Sequence, residues 1–318
     1  MLQRILAGIG LLSLGFLSAT LLMGSEEEIM AQKKRHLSQD ALTVSPPLPQ
    51  KVDFCKEQVP LERFDVREML EKQVVRTVYN RPHTMLIIKR ANRWKATFQR
   101  ILREQGIPED FFYLMVAESA VENARSWAGA QGFWQFMEAT GKEYGLEINE
   151  YVDERNHPII SAYAACEYFK KSFARFGNWS LVAASYNMGI GGVQVQINRQ
   201  KAYNYHNLYL NPETGNYLYR ILAYKIIMEA PEAYGFKLFP GDLYEPVEYE
   251  TVIVDEPIED LVKFARDHGT TYKLLKVMNP WLLKSSLPNE DGKQYKLLIV
   301  KEENASRHLG APPRGEDG

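Results

Sequence analysis

A single carboxylate inside an apolar helix is the first feature of this sequence that could do chemistry. Residues 111–121, FFYLMVAESAV, predict a helix that is apolar almost all round, with a start signal at 108–110. Glu118 shares a face of this helix with three apolar residues one or two turns earlier: Phe111, Leu114 and Met115. Burial of a carboxylate raises its pKa. A general acid needs a raised pKa because the group must stay protonated near neutral pH. The alternative is an ion pair at the helix surface between Glu118 and Arg125 or another cation, and the helix alone leaves both interpretations open.

Polar residues on later segments are further candidates, and each has a structural alternative. Gln135 follows a loop of small residues, Tyr186 and Asn187 stand at the end of a predicted helix, and Glu213 and Thr214 stand at the start of another. The first three could instead bond loop backbone, and the last two are typical of a helix N-terminus. The loop before Gln135, WAGAQG, is rich in small residues, so its backbone can approach packed protein or a ligand closely. Residues 153–155, DER, predict a structural ion-pair and capping cluster in preference to a catalytic role.

Composition excludes several classes of function. The chain has 318 residues, of which 45% are apolar and 25% charged, as in ordinary globular proteins of one large or two smaller domains. The formal net charge of -2 argues against nucleic acid as a partner. Serine-nucleophile, phosphate-loop and dinucleotide signatures are absent. Two cysteines and scattered histidines give no metal-ligand spacing, so we expect no metal and no cofactor. A disulfide between Cys55 and Cys166 suits an oxidising compartment, but the sequence does not decide it.

The N-terminal region predicts export. Residues 5–23 form an uncharged apolar run after Arg4, long enough for a membrane span or a signal-peptide core. Three glutamates follow, so the positive-inside rule leaves the rest of the chain outside the cytoplasm. We therefore interpret residues 1–24 as a signal peptide or membrane anchor, with that choice open. The polar residues 25–51 predict a flexible linker.

Hydrophobic periodicity predicts a mainly α protein. It covers residues 60–106 and three later segments: 159–176, 180–188 and 215–230. We expect Gly191 and Gly192 to end the second of these segments. No convincing strand precedes residue 245, so the prediction is a helical catalytic domain at 52–240 with an N-terminal helical extension.

The C-terminal region predicts a small β-α-α-β domain at 245–302. Its predicted elements are a strand, two helices and a strand: 249–254, 258–269, 272–283 and 295–300. Residues 303–318 predict a disordered tail.

Five motifs in order resemble those of soluble-lytic-transglycosylase domains, most closely the membrane-bound lytic murein transglycosylase D type. They are AESA (117–120), GAQGFWQFM (129–137), VDER (152–155), ASYNMG (184–189) and PETGNYLYR (212–220). The resemblance covers residues 60–236. It implies a goose-type-lysozyme-like helical fold that cleaves peptidoglycan between N-acetylmuramic acid and N-acetylglucosamine. The sequence departs from the pattern at Trp134, commonly methionine, and at Ser185, commonly alanine. The first change is expected to alter how a sugar packs.

The resemblance also implies roles for individual residues. Glu118 would protonate the glycosidic oxygen and then accept the proton of the muramic acid C6 hydroxyl, which closes a 1,6-anhydro ring. Six residues match positions that line the sugar cleft or steady the acid and the N-acetyl group: Ser126, Gln135, Met137, Tyr186, Asn187 and Glu213. Ser119 and Gly132 would be structural residues near the site. The implied partner is peptidoglycan, the implied location is the periplasmic cell envelope of a bacterium, and we expect a monomer.

Two alternatives to this function stay open. Ordinary glycosidases use two carboxylates, and Glu122, one helical turn after Glu118, or Glu138 could supply the second, which would give a lysozyme-like hydrolase. The other alternative is a non-catalytic wall-binding protein. The C-terminal domain resembles a degenerate lysin motif, with MNPW at 278–281 but without the usual opening residues. It is expected either to bind glycan weakly or only to pack on the catalytic domain.

Overall fold

The computed structural model describes residues 44–239 and 241–302, and its helices and strands belong to the compact unit that begins at Pro46. The predicted anchor at 1–24 and the predicted tail at 303–318 lie outside the described residues, as does most of the linker. Within the described ranges, no helix is long and apolar enough to cross a membrane.

The helical body begins with a short hairpin and two long helices. Strands β1 (Asp53–Phe54) and β2 (Glu57–Gln58) pair antiparallel, and helices α1 (Phe64–Tyr79) and α2 (Arg81–Glu104) follow. The hairpin corrects the expectation that no strand precedes residue 245. Each strand has only two residues, too few for an alternating pattern to be visible in the sequence.

A central buried helix organises the rest of the body. The remaining helices are α3 (Phe111–Ser119), α4 (Glu138–Glu143), α5 (Pro158–Phe176), α6 (Trp179–Met188), α7 (Ile190–Gln200) and α8 (Pro212–Glu229). Helix α8 packs against α1, α3 and α6. The Asn211 side chain caps it by accepting a hydrogen bond from the Thr214 N–H at 2.9 Å. The mainly α prediction is confirmed for this part of the chain.

One predicted helix boundary is wrong. Gly191 and Gly192 do not end a helix, because α7 begins at Ile190 and continues through both. The break lies two residues before Gly191, at Gly189, whose φ of 82° favours glycine. Helix α7 continues despite its glycines because Val193 and Ile197, four residues apart, are both buried and fix it to the body.

The C-terminal part has the predicted β-α-α-β order. It consists of β3 (Glu250–Val254), α9 (Leu261–Asp267), α10 (Tyr272–Met278) and β4 (Tyr295–Ile299). The strands pair antiparallel, with Glu250 opposite Ile299 and Val254 opposite Tyr295. These elements form a hydrophobic cluster of their own, which also takes in Val152 from the helical body.

This small unit packs on the helical body, which is one of the two roles expected from the sequence. The ring of Trp281 stacks on that of His157 with centroids 5.3 Å apart, and Lys293 pairs with Glu154 at 3.1 Å. Burial lowers the pKa of His157 to about 4. A cavity of about 390 Å³ lies at this junction and is lined by residues of both parts, including His157 and Trp281.

Candidate active site

Glu118 lies in the last turn of α3, where the chain leaves the helix abruptly. Ala120 and Val121 have φ values of 53° and 57°, so the helix ends at Ser119 and not at Val121 as the sequence predicted. A left-handed conformation is uncommon for a β-branched residue such as Val121, and it persists only where the surroundings hold it. The turn opens a cavity of about 360 Å³ beside Glu118.

The Glu118 carboxyl is half-buried and hydrogen-bonded. It accepts a hydrogen bond from the hydroxyl of Tyr217. Burial raises its pKa above the usual range of glutamate, whereas the Tyr217 hydrogen bond and the charge of Arg220 act in the opposite direction. Across the described ranges no salt bridge joins Glu118 to Arg125 or to another cation, so the surface-pair alternative receives no support. Raised by burial, the pKa of Glu118 favours the protonated form that can act as an acid.

Helix α8 supplies three groups around this acid that sequence reasoning missed: Tyr217, Arg220 and Tyr224. Tyr217 is buried, and Arg220 and Tyr224 line the same cavity as Glu118. Together with Glu213 they are spaced four, three and four residues apart, so one face of α8 points at the site. That spacing, within and just beyond the PETGNYLYR motif, was the available signal.

The predicted site residues Tyr186 and Asn187 lie in the last turn of α6 and join the site through three other hydrogen bonds. The Tyr186 hydroxyl donates to the backbone oxygen of Trp134 at 2.7 Å. Burial raises the pKa of Tyr186 well above its usual value, and the neighbouring charge of Glu118 adds to the rise. Asn187 donates to the Glu213 carboxylate at 3.1 Å and accepts from the Thr214 hydroxyl at 2.6 Å. Asn187 and Glu213 therefore lie together at the α6–α8 junction, and neither belongs to the described lining of the Glu118 cavity.

The loop between α3 and α4 forms another wall of the cavity. Gln135 and Ser126 both line it. Gln135, at a φ of 50°, donates its amide to the backbone oxygens of Ala124 and Gly132 at 2.9 and 2.7 Å. The Ser126 hydroxyl accepts from the Ala130 N–H at 3.0 Å. Both side chains thus hold the loop in shape through bonds to its backbone, which is the structural alternative given above for Gln135. Both side chains also face the cavity.

Gly132 is required by close approach of two backbones. A Cβ atom at this position would lie 1.9 Å from the backbone oxygen of Arg155, and φ is 82°. Arg155 is itself buried and pairs with Asp153 at 2.7 Å, and its guanidinium donates to the backbone oxygens of Gly129 and Phe136. The DER segment is thus a structural ion-pair cluster that supports the loop from behind.

Three further predicted residues take structural or exposed positions. Ser119 is buried, and its hydroxyl donates to the Met115 backbone oxygen at 3.1 Å. Met137 precedes α4 and is 45% exposed. Trp134 is fully buried, edge-on to Phe98 and Phe169 in the aromatic core. The expectation that Trp134 alters sugar packing is therefore wrong, because its ring fills the core behind the cleft.

Neither candidate for a second carboxylate faces the site. Glu122 follows the left-handed turn instead of continuing α3, and it pairs with Arg90 at the surface. Glu138 pairs with Lys142 at 2.6 Å and is exposed. Among the described residues that line the cavity, Glu118 is the only carboxylate.

Comparison with known proteins agrees with this geometry. Residues 96–209 match the family described as "Transglycosylase SLT domain", a range that includes Glu118, the Gln135 loop and Tyr186-Asn187. The chain carries a transglycosylase SLT domain. Residues 250–303 match the "Soluble lytic transglycosylase C-terminal LysM-like domain", which confirms the lysin-motif resemblance.

Individual relatives extend the similarity beyond the SLT domain. Proteins of two Escherichia coli strains described as "Membrane-bound lytic murein transglycosylase D" are 29% identical over 261 residues, which is 80% of this chain and 56% of each relative. The chain thus spans about half the length of the curated relatives it matches. A solved structure of an inactive mutant of the lytic transglycosylase Slt from Pseudomonas aeruginosa is 25% identical, with a TM-score of 0.36 over 43% of this chain and 24% of that one.

Proposed function

We propose that this protein is a peptidoglycan lytic transglycosylase. It would cleave the β-1,4 bond between N-acetylmuramic acid and N-acetylglucosamine and leave a 1,6-anhydromuramoyl end, in turnover or remodelling of the wall. The observation that carries the proposal is that Glu118, with a raised pKa, is the one carboxylate among the described residues lining its cavity. The SLT domain match and the murein transglycosylase relatives support the substrate class.

Both proton transfers in this reaction go through Glu118. Protonated Glu118 gives its proton to the glycosidic oxygen as the C1–O bond breaks, and the leaving sugar departs with a free hydroxyl. The carboxylate so formed is stabilised by the Tyr217 hydroxyl. It then accepts the proton of the C6 hydroxyl as that oxygen bonds to C1, so Glu118 is protonated again and no water is consumed. Tyr217 itself stays protonated, because burial and the nearby Glu118 charge raise its pKa well above the usual value.

The scarcity of carboxylates favours ring closure over hydrolysis. A hydrolase of the ordinary kind needs a second carboxylate about 5–10 Å from the acid to activate water or to attack the sugar. Glu122 and Glu138 are engaged in surface ion pairs. Glu213 is near enough for its charge to raise the pKa of Glu118, but it accepts a hydrogen bond from Asn187 and is not part of the described cavity lining. An internal hydroxyl needs no such group, since its attachment to the same sugar provides the proximity that positions the nucleophile.

The remaining predicted residues complete the proposal. Gln135 and Ser126 would contact the sugar from the loop wall, and Met137, Tyr186, Asn187 and Glu213 would extend the cleft around the α6–α8 junction. We propose a cell-envelope, periplasmic location in a bacterium, membrane attachment or export through residues 1–24, and a monomer. The apolar run at residues 5–23 and the relatives' description as membrane-bound support the proposed membrane attachment or export.

The test is digestion of purified sacculi by the wild-type protein and by Glu118→Gln. Glutamine keeps the shape of the side chain but has no proton to give. We expect the wild type to release muropeptides one water lighter than hydrolytic products, as read by mass spectrometry, and the variant to release none. Release of reducing muramic acid alone would indicate a hydrolase. Binding of sacculi without any release would indicate a wall-binding protein.

A further inference from the structure

Arg220 is a cation in the lining of the Glu118 cavity, and one of its buried donors has no hydrogen-bond partner within the described residues. Its Nε–H is buried without a hydrogen bond. Across the described ranges, no salt bridge joins its guanidinium to a carboxylate. The guanidinium lies 5.3 Å from the centre of the Tyr217 ring, so packing on that ring holds it in place. Leaving guanidinium donors unpaired is costly, and proteins normally match them to a carboxylate or carbonyl oxygen.

The surroundings of Arg220 leave the role of hydrogen-bond acceptor for its guanidinium to a bound molecule. The cavity contains a second arginine, Arg125, and one carboxylate, Glu118, among its described lining. Glu118 already accepts the Tyr217 hydroxyl, and its raised pKa favours the neutral form. The cavity is therefore positively charged, and such a cavity favours a substrate group with an anionic or strongly accepting oxygen.

We propose that Arg220 recognises the lactyl group on C3 of the muramic acid residue whose bond is cleaved. This inference rests on the proposed function and deepens it. Both sugars of peptidoglycan carry an N-acetyl carbonyl, whereas muramic acid alone carries the lactyl ether. The lactyl carbonyl group is an amide where a peptide is attached and a carboxylate where the peptide has been removed. A planar guanidinium next to the acid can donate hydrogen bonds to the oxygen of either form through its fork of N–H groups. Arg220 thus makes the site specific for muramic acid over plain N-acetylglucosamine.

The test measures binding in the Glu118→Gln background, where cleavage does not interfere. Three ligands are compared: peptide-bearing glycan strands, strands stripped of peptides by an amidase, and chitotetraose, which has N-acetyl groups but no lactyl group. We expect Arg220→Gln to weaken binding of both kinds of strand about ten-fold or more, the loss of one charge-assisted hydrogen bond. Affinity for chitotetraose should change less than about two-fold. The affinity for stripped strands should fall most, because the full carboxylate is a stronger hydrogen-bond partner than the amide.

Two further variants make the result specific to Arg220. Arg67→Gln removes the same charge from an exposed position on α1, outside the cavity, and should leave all three affinities unchanged. Arg220→Lys keeps the charge without the fork and should retain part of the binding of stripped strands. It also provides the measurement if Arg220→Gln fails to fold, as judged by its melting temperature.

Two outcomes would overturn the inference. An equal loss on all three ligands would indicate contact with the N-acetyl group or a change in the cavity itself. An unchanged affinity for the strands would show that Arg220 does not touch substrate. Failure of the proposed function is a separate result, because it appears as missing anhydro products in the wild-type digestion and not in the binding comparison.

Discussion

Removal of the Tyr217 hydroxyl is the most informative single change in the site. In Tyr217→Phe the ring, which is buried and packs beneath Arg220, keeps its shape, but Glu118 loses its hydrogen-bond donor. That bond is stronger when Glu118 is a carboxylate than when it is protonated. A hydrogen bond to a charged group contributes about 1.5–3 kcal/mol. If most of it develops as the proton leaves Glu118, kcat/KM should fall by about ten-fold to one-hundred-fold.

The same change has a defined effect on the pH profile. The Tyr217 hydrogen bond lowers the pKa of Glu118, against the rise caused by burial. Its loss should therefore raise that pKa further. Because the free enzyme must hold Glu118 protonated to react, the alkaline limb of kcat/KM should move to higher pH in Tyr217→Phe. The assay is release of anhydromuropeptides from sacculi as a function of pH.

Tyr219→Phe is the matched control for this prediction. Tyr219 is also buried on α8, but its hydroxyl contacts His206 at 3.0 Å. It should leave both the rate and the alkaline limb in place. A Tyr217→Phe profile whose alkaline limb stays in place or moves to lower pH would refute the proposed link between this hydroxyl and the acid.

Two predictions concern the framework. Gly132→Ala places a Cβ against the Arg155 backbone oxygen and should lower the free energy of unfolding in urea by at least about 2 kcal/mol. Gly129→Ala, at a φ of 89° with open space around the Cβ, should suffer only the backbone strain. Equal losses of stability in the two variants would contradict the close approach of the two backbones. His157 has a pKa of about 4 in the folded protein against 6.5 as its ordinary value, so the unfolded chain binds its proton first as pH falls between those values. The free energy of unfolding should therefore drop by up to about 3 kcal/mol over that pH window. In unfolding experiments at pH 7 and 4.5, His157→Asn should show a smaller drop than the wild type. An unchanged drop would show that another group causes the pH dependence.

Local signals explain the parts of the fold that were predictable. Periodicity indicates the long helices because each has an extended buried stripe, as in α2 and α8. The end of α6 is predicted close to its place, but the choice between Gly189 and Gly191 depends on backbone angles that composition does not encode. The β1–β2 hairpin is not predictable in this way because two-residue strands carry no period.

The sequence indicated the site only at the residue whose polarity differs from that of its neighbours. Glu118 stands out because it is a carboxylate in an apolar helix. Burial was expected to raise its pKa, and in the structure burial does so. Its partner Tyr217 lies 99 residues later and looks like one more apolar position of a buried helix. The prediction for Trp134 is wrong for the related reason that a sequence does not show which face of a loop points to the core.

Glu118 is proposed to direct ring closure and not hydrolysis. Digestion of sacculi in water enriched in the heavy oxygen isotope tests it directly by mass spectrometry of the products. Ring closure uses an oxygen of the sugar, so the account predicts anhydromuramoyl ends with no heavy oxygen incorporated. Muramic acid ends that each carry one heavy oxygen atom would contradict it.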